Sequence, residues 1–398
     1  MSDWRIYILD EFLEINPKVA LERDSEYSFV EMKDLNPSLK YVLPSSKREL
    51  KGGMRFQNGD TLFARITPCL ENGKISQVKG LDNGVGFGST EFLVFIGKDD
   101  LSDSDFVYYL SRTDYFRNNA IQLMTGTSGR QRVKTQGLKE LEISAPDLPT
   151  QRQIAIMLSS LDDKIELNLQ MNQTLEKMAQ AIFKEWFVDF NFPGFDGELV
   201  DGLPKGWRMG SILEISKLLS GGTPKTKIDN YWNGSIKWIA AKDISSNNRK
   251  FIFETEKTIT EEGIRNSAAK LLPKNTTIIS ARGTVGNICI LSKEMAISQS
   301  NYGLKSDNNF DYFTFLMAIN MISMMKSYSY GTVFDTITTK TFNEMEIIIP
   351  PDNVIEEFEA SVSFLFSRIK SSIKENMVLS QTRDTLLPKL MSGQIEIA

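Results

Sequence analysis

The sequence predicts an α+β fold: two mixed α/β globular domains separated by two long antiparallel helices that form a coiled coil, with an internal pseudo-two-fold repeat. Three observations predict it. Two stretches of the chain, Leu148–Phe187 and Val354–Leu387, carry helical apolar periodicity over far more turns than a compact domain uses. Shifting the first by 204 positions brings the phases together. Short motifs also recur at offsets of 203 to 205 around interiors that share almost nothing, the mark of one scaffold duplicated and given two different surfaces.

The first long helix is expected to open on a capping box at Thr150 and Gln153. Its seam is Leu158, Leu161, Ile165 and Leu175, continued by Ile182 and Trp186. The second is entered through Pro350, Pro351 and Asn353, and is expected to stop or kink at Pro388. Under the 204-residue shift Leu161 falls on Leu365, Ile165 on Ile369, Leu175 on Leu379 and Asn172 on Asn376. An Asn at the same seam position in both copies reads either as a register device, since it penalises misalignment, or as a solvent-facing polar residue.

The frame around the helices repeats as well. Trp4-Arg5 recurs as Trp207-Arg208, Ile8-Leu9-Asp10 as Ile212-Leu213-Glu214, Gly126-Thr127 as Gly331-Thr332, and Leu141–Pro146 as Met345–Pro350. Inside the frame, Thr61–Ile66, Lys74–Val78 and Glu91–Ile96 have strand composition, and Phe106–Asn119 reads as helix. In the second copy Ile236–Ala240, Thr276–Ala281, Asn287–Leu291 and Ile347–Ile349 are strands, and Tyr312–Met325 is helical. A Gly- and Pro-rich connector, Phe192–Trp207, marks the boundary between halves.

Composition narrows the chemistry. With 398 residues the chain can bury two or three cores. It has no histidine, which removes every mechanism built on a His base, His metal ligand or His triad. Cys69 and Cys289 have no metal-type spacing, and a reducing cytoplasm is the simplest setting. The start of the chain lacks a basic region followed by an apolar one, and no apolar run is long enough for a bilayer. Net charge is −5, with −3 over residues 1–147 and +2 over 191–350. Any contact with nucleic acid must therefore rest on locally placed residues, not on a global field.

Several motifs invite catalytic readings. Gly84–Gly88 resembles a cofactor loop but lacks a following helix, so a β-turn cluster fits better. Gly221–Thr226 lacks phosphate-loop spacing, and Pro224 removes an amide donor. Pro146-Asp147 with Asp162-Asp163-Lys164 mimics a Mg²⁺-dependent nuclease pattern, yet its second half lies on a helix, where solvated charges are ordinary. The chain reads as non-catalytic, with no metal site.

Recognition chemistry remains. Arg65, Thr67, Asn72 and Lys74 lie between two strands of the first domain, and Arg130 and Arg132 sit on a cationic Gly-rich loop. In the second domain Lys225, Lys227, Tyr231, Trp232, Lys242, Arg282, Gln299 and Asn301 occupy or border loops. Arg reads guanine and Asn or Gln reads adenine through bidentate hydrogen bonds, while Lys anchors phosphates. These fourteen residues are the candidate DNA contacts.

The chain resembles the specificity (S) subunits of type I restriction–modification systems over essentially its whole length. The resemblance rests on LPTQRQIAIMLSSLDDKIE in the first helix, LPKLMSGQIEI (Leu387–Ile397) closing the second, and GLPKGW before the second half. It implies a first target-recognition domain at 1–147, a spacer helix at 148–190, a linker and second target-recognition domain at 191–350, and a second spacer helix with C-terminal tail at 351–398. Each domain would read one half of a bipartite double-stranded DNA target. The helices would set the unread spacer and dock methyltransferase (M) subunits, which carry S-adenosylmethionine and methylate adenine. Restriction (R) subunits, using ATP and Mg²⁺, would join them. No cofactor is expected on this chain itself. Two other readings remain open from the residues alone, a stand-alone nuclease and a protein-only interaction scaffold.

Overall fold

The computed structural model describes residues 4–245, 250–328 and 336–396. The chain divides into two compact units, Met1–Asn168 with Glu375–Ala398, and Leu169–Lys374. Each long helix is shared between the two units, one part in each.

In the first unit nine strands build two sheets: β1 (Leu13–Ile15), β2 (Glu26–Val30), β3 (Tyr41–Val42), β4 (Ser46–Glu49), β5 (Met54–Gln57), β6 (Thr61–Ala64), β7 (Ile75–Val78), β8 (Val85–Gly88) and β9 (Phe92–Gly97). A five-stranded sheet has the order β1-β9-β6-β7-β3, and a four-stranded sheet the order β4-β2-β8-β5. Helices α1 (Ser104–Arg112) and α2 (Asp114–Gln122) cover the larger sheet. Strand alternation sorts the core. Phe63 and Phe95 point to the helix side, where their rings meet Phe116 at 5.6 and 5.8 Å. Leu62 and Val94 point the other way, into a cluster with Val30 and Phe56 of the smaller sheet.

The single helix expected at Phe106–Asn119 is two. Thr113 leaves the helical region at ψ 148° and its hydroxyl oxygen accepts from the amide of Phe116, capping the second helix while ending the first. The Gly84–Gly88 cluster is a turn only at its first residue, Gly84, which ends a 3-10 turn at φ 76°. Its last four residues form β8, between β2 in parallel and β5 in antiparallel pairing. A Cβ on Gly88 would lie 2.4 Å from the Val30 carbonyl oxygen, so only glycine lets these backbones approach.

The second unit repeats the plan from unlike sequence. Its strands are β10 (Ser216–Ser220), β11 (Trp232–Ile239), β12 (Phe251–Ile252), β13 (Lys257–Ile259), β14 (Leu271–Leu272), β15 (Thr277–Ser280), β16 (Ile288–Leu291), β17 (Met295–Ile297) and β18 (Asn301–Ser306). The sheets run β10-β18-β15-β16-β12 and β13-β11-β17-β14, the first unit's orders strand for strand. The parallel pairs match too: β3 with β7 and β12 with β16, β2 with β8 and β11 with β17. In each unit the framing strands pair antiparallel, Arg5–Ile8 with Glu142–Ala145 and Arg208–Ser211 with Glu346–Ile349. Strand β11 starts at Trp232, earlier than the expected Ile236. Apart from β11, the strands of the smaller sheets were not foreseen, because strands such as β4, exposed at every residue, show no apolar alternation. Gly331-Thr332 and Ile397 lie outside the described residues.

The long helices are α3 (Leu148–Phe187) and, after α4 (Asp311–Tyr328), α5 (Asp352–Leu390); they pair antiparallel. The Thr150 capping box is absent. Asp147 is the cap instead, its carboxylate accepting the Thr150 amide at 3.1 Å; the Thr150 side chain first, and this amide with it, hold that carboxyl below the usual range. Pro388 does not stop α5. It sits in the last turn, where its missing amide forfeits a single helical bond, and the helix continues to Leu390. In the first unit Ile154, Ala155 and Leu158 share a core with Leu387, Leu390 and Met391, and Ile165 is buried further along the helix. In the second, Ala179, Phe183 and Phe187 pack with Phe358, Val362, Leu365, Phe366, Ile369 and Ile373. Leu161, Leu175 and Leu379 are half-buried along the seam.

Asn172 and Asn376 are both buried, which removes the solvent-facing reading. Asn376 bonds Asn168, not its repeat partner: Asn168 Nδ2 donates to Asn376 Oδ1 at 2.7 Å, and Asn376 Nδ2 donates to the Ile165 carbonyl.

Among the described residues no helix is long and apolar enough to cross a membrane. Cys69 and Cys289 are free thiols, and burial pushes the Cys289 thiol up to about 12.

Candidate nucleic-acid interface

In both units the loop leaving the central strand of the larger sheet is stitched to two neighbouring loops by the same bonds. After β6, the Arg65 amide donates to the Glu91 carbonyl (2.9 Å), and the Val133 amide donates to the Arg65 carbonyl (2.9 Å). After β15, the Ala281 amide donates to the Ser300 carbonyl (2.8 Å), and the Ile337 amide to the Ala281 carbonyl (3.0 Å). A shared backbone frame thus gathers three loops at one sheet end, and each unit hangs different side chains on it.

In the first unit the frame brings together Arg65, Thr67, Arg130 and Arg132. Thr67 fixes the cationic loop by donating its amide and hydroxyl to the Gln131 carbonyl. Arg65 is turned inward: Nη2 donates to the Val133 carbonyl at 3.1 Å, so its first role is to brace the loop. Arg132 forks onto Glu91, with Nε at 2.9 and 2.8 Å and Nη2 at 2.6 Å from the carboxylate oxygens. Those hydrogen bonds hold the Glu91 carboxyl below its ordinary value. The pair presents a fixed guanidinium plane whose charge is already answered. Arg130 is exposed, with no side-chain hydrogen bond or ion pair among the described residues. Asn72 is exposed at the far end of the 65–74 loop, while Lys74 donates to the Met32 carbonyl at 2.6 Å.

In the second unit Arg282 and Gln299 are exposed on adjoining loops of the frame. The Gly221-Gly222 turn packs onto the same end: the Gly222 amide donates to the Ile297 carbonyl at 2.9 Å, and a Cβ on Gly221 would lie 2.3 Å from the Ser298 carbonyl oxygen. This close approach explains the glycines; Lys225 and Lys227, on the loop that follows, are both exposed. Asn301 is corrected. It is 1% exposed, and its amide nitrogen donates to the Ile239 carbonyl and the Ser298 hydroxyl, so it shapes the loop and reads no base. Trp232 and Tyr231 are half-buried. The Trp232 ring stands edge-on to Trp238 at 5.1 Å with the Lys257 ammonium over its face, and its indole N–H donates to the Lys225 carbonyl. Lys242 is paired with Glu256 at 2.9 Å.

The first unit's frame leaves Arg130 exposed; in the second unit Arg282 and Gln299 are exposed on the frame, and Lys225 and Lys227 on the loop after the Gly221-Gly222 turn. These are groups suited to guanine, adenine and phosphate. Glu91 was not foreseen, since a lone acid at a strand entry carries no sequence signal. The nuclease pattern dissolves. Asp162 is 3% exposed, accepts from Arg383 Nη1 at 2.5 Å and from the Tyr109 hydroxyl at 2.7 Å, and is neither solvated nor open to a metal. Among the described residues no group of three or more acidic or thiol side chains could hold a metal ion.

Comparison with known proteins points the same way. The family signature of the type I restriction modification DNA specificity domain matches the chain twice, over residues 1–177 and 204–374. The HindI specificity subunit of Haemophilus influenzae is 27% identical over 468 aligned positions, covering 99% of this chain and 100% of the relative. The MjaIX specificity subunit of Methanocaldococcus jannaschii is 27% identical, covering 74% of this chain and 69% of its own. The crystal structure of the type I S subunit from M. genitalium superposes with a TM-score of 0.58 at 18% identity, over 98% of this chain and 96% of that one, a likeness of fold. Two copies of one DNA-specificity signature, each laid over a unit with the same nine-strand plan, make this chain a member of the type I restriction–modification DNA specificity family.

Proposed function

We propose that this chain directs a type I restriction–modification assembly to a bipartite DNA sequence. The first unit reads one half-site and the second unit the other, while the paired helices set the unread spacer between them. Methyltransferase subunits carrying S-adenosylmethionine dock on the helices and methylate adenine. Restriction subunits using ATP and Mg²⁺ join that complex in the cytoplasm. As a specificity subunit the chain is the recognition component and not the catalyst.

The observation that carries this reading is the doubled frame: identical loop stitching at one sheet end of each unit, dressed with Arg130 in one and Arg282 and Gln299 in the other. A duplicated scaffold with unlike reading surfaces fits an asymmetric target better than a palindromic one. The test is an exchange of residues 1–147 for another recognition domain. One half of the methylated sequence should change and the other should stay. A change in both halves, or in neither, contradicts modular reading. Deleting one heptad from both helices should shorten the accepted spacer. A protein-only scaffold would show no salt-dependent, sequence-dependent DNA shift with the methyltransferase subunit present.

A further inference from the structure

The first unit contains a buried ionic cluster that the reading of bases does not use. Arg383 of α5 is 3% exposed and reaches three partners: Asp162 of α3 at 2.5 Å, the Ser38 carbonyl at 3.2 Å and Asp384 at 2.9 Å. Asp162 also accepts the Tyr109 hydroxyl of α1. The segment before and within β3, the edge strand of the larger sheet, has two further ties to α3. Lys40, 2% exposed, donates to the Ser159 hydroxyl and to Asp105, both at 2.7 Å, and the Tyr41 hydroxyl donates to Asp163 at 2.8 Å. One guanidinium thus meets both long helices and the edge of the DNA-reading sheet.

Stability does not require this polarity. In the second unit the repeat positions of Asp162, Arg383 and Tyr109 are Phe366, Ala179 and Phe313, all buried. Phe366 stacks on Tyr312 at 4.3 Å and 3°, and stands edge-on to Phe251 of the equivalent edge strand β12. The same chain therefore solves the same joint with aromatic rings. Buried ion pairs are commonly no more stabilising than well-packed apolar residues, and are best attested as devices that fix register. A slip of one turn between α3 and α5 would set Asp162 against the apolar Leu379 or Leu387 and bury an unpaired carboxylate. The Asn376 bonds to Asn168 and Ile165 would break with it. One turn is about 5.4 Å, more than the roughly 3.4 Å rise of a base pair.

We infer that Asp162 and Arg383 are a positioning pair that locks the helix register and the seat of the first DNA-reading sheet, so that the subunit accepts one spacer length and rejects its neighbours. This rests on the reading that the helices set the spacer. Neither residue touches DNA in this assignment.

The test uses the full chain assembled with its methyltransferase subunit, on duplexes bearing the mapped target with its own spacer, one base pair fewer and one more. Asp162→Leu with Arg383→Met removes the pair without leaving a lone buried charge. Methylation of the two altered spacers should rise about tenfold relative to the native one, while discrimination against a single wrong base in either half-site is unchanged. Arg383→Lys, which keeps the charge but loses the fork to Ser38 and Asp384, should move the same ratio part of the way, and serves if the double variant melts below assay temperature. A native spacer ratio in both folded variants overturns the lock alone. A wild-type complex indifferent to spacer length overturns the lock and the reading beneath it.

Discussion

Asn168 Nδ2 lies 2.7 Å from Asn376 Oδ1 inside the helix pair of the first unit, and Asn168 also donates to Glu375 at 2.9 Å. Asn376→Ala leaves the Asn168 amide and the Ile165 carbonyl short of partners in a buried seam. The unit should lose about 1–3 kcal/mol, read as a lower midpoint in denaturant. Replacing both Asn168 and Asn376 by Leu should recover most of that loss, because no polar group is then stranded.

Glu359 of α5 accepts the amides of Tyr312 and Phe313 at the start of α4, yet burial pushes its carboxyl up to about 7. Its folded value exceeds its unfolded one, so its contribution to stability is fully present below about pH 4.5 and is lost as pH rises through about 7. Asp60, buried with one oxygen unpartnered, is pushed up to about 6 and acts in the same direction. Thermal melting should show stability falling between pH 5 and 8. In Glu359→Gln that slope should be shallower, with Asp60 left as its main source.

Phe366 fills the second unit's joint, stacked on Tyr312 and edge-on to Phe315 at 5.8 Å. Phe366→Ala should cost about 3–5 kcal/mol by opening a cavity among rings. Denaturant titration of the variant checks it, and a loss under about 1 kcal/mol would mean the rings close over the gap.

Arg282→Ala and Gln299→Ala should each relax base preference in one half-site only, at a cost of about 1–3 kcal/mol for a bidentate contact. Lys227→Ala should weaken binding evenly across sequences and lower the salt slope by about one. Methylation of single-mismatch targets separates the two behaviours. Equal effects on every sequence from Arg282→Ala would make it a phosphate contact.

Glu91→Gln should release the Arg132 fork, since a neutral amide cannot hold a guanidinium as a carboxylate does. If Arg132 serves DNA once freed, affinity for the first half-site rises in this variant and falls in Arg132→Ala. Unchanged affinity in both would assign the pair to bracing the loop.

Much of the fold was legible because periodicity and repetition survive in sequence. The phases of Leu158, Ile165, Leu365 and Ile369 located the long helices, and a 204-residue shift exposed the duplication. The site was less legible. Asn301, Arg282 and Gln299 all read as loop polars, and only packing distinguishes the one that turns inward from the two that face solvent. Asp162 read as a solvated charge on a helix because its partner stands 221 positions away. The Gly84–Gly88 cluster read as a turn, although only Gly84 serves one and Gly86 and Gly88 serve the close approach of strands.

The sequence by itself determined the class of protein, its two-fold repeat and the paired helices, because apolar spacing and local motifs act over a few residues and leave a local record. The tertiary structure alone decided that two interiors without sequence likeness fold to one nine-strand plan, and that one joint is ionic where the other is aromatic. Those outcomes depend on which side chains meet across long separations, where the desolvation of a charge or the fit of a ring is settled by neighbours that the linear order does not reveal.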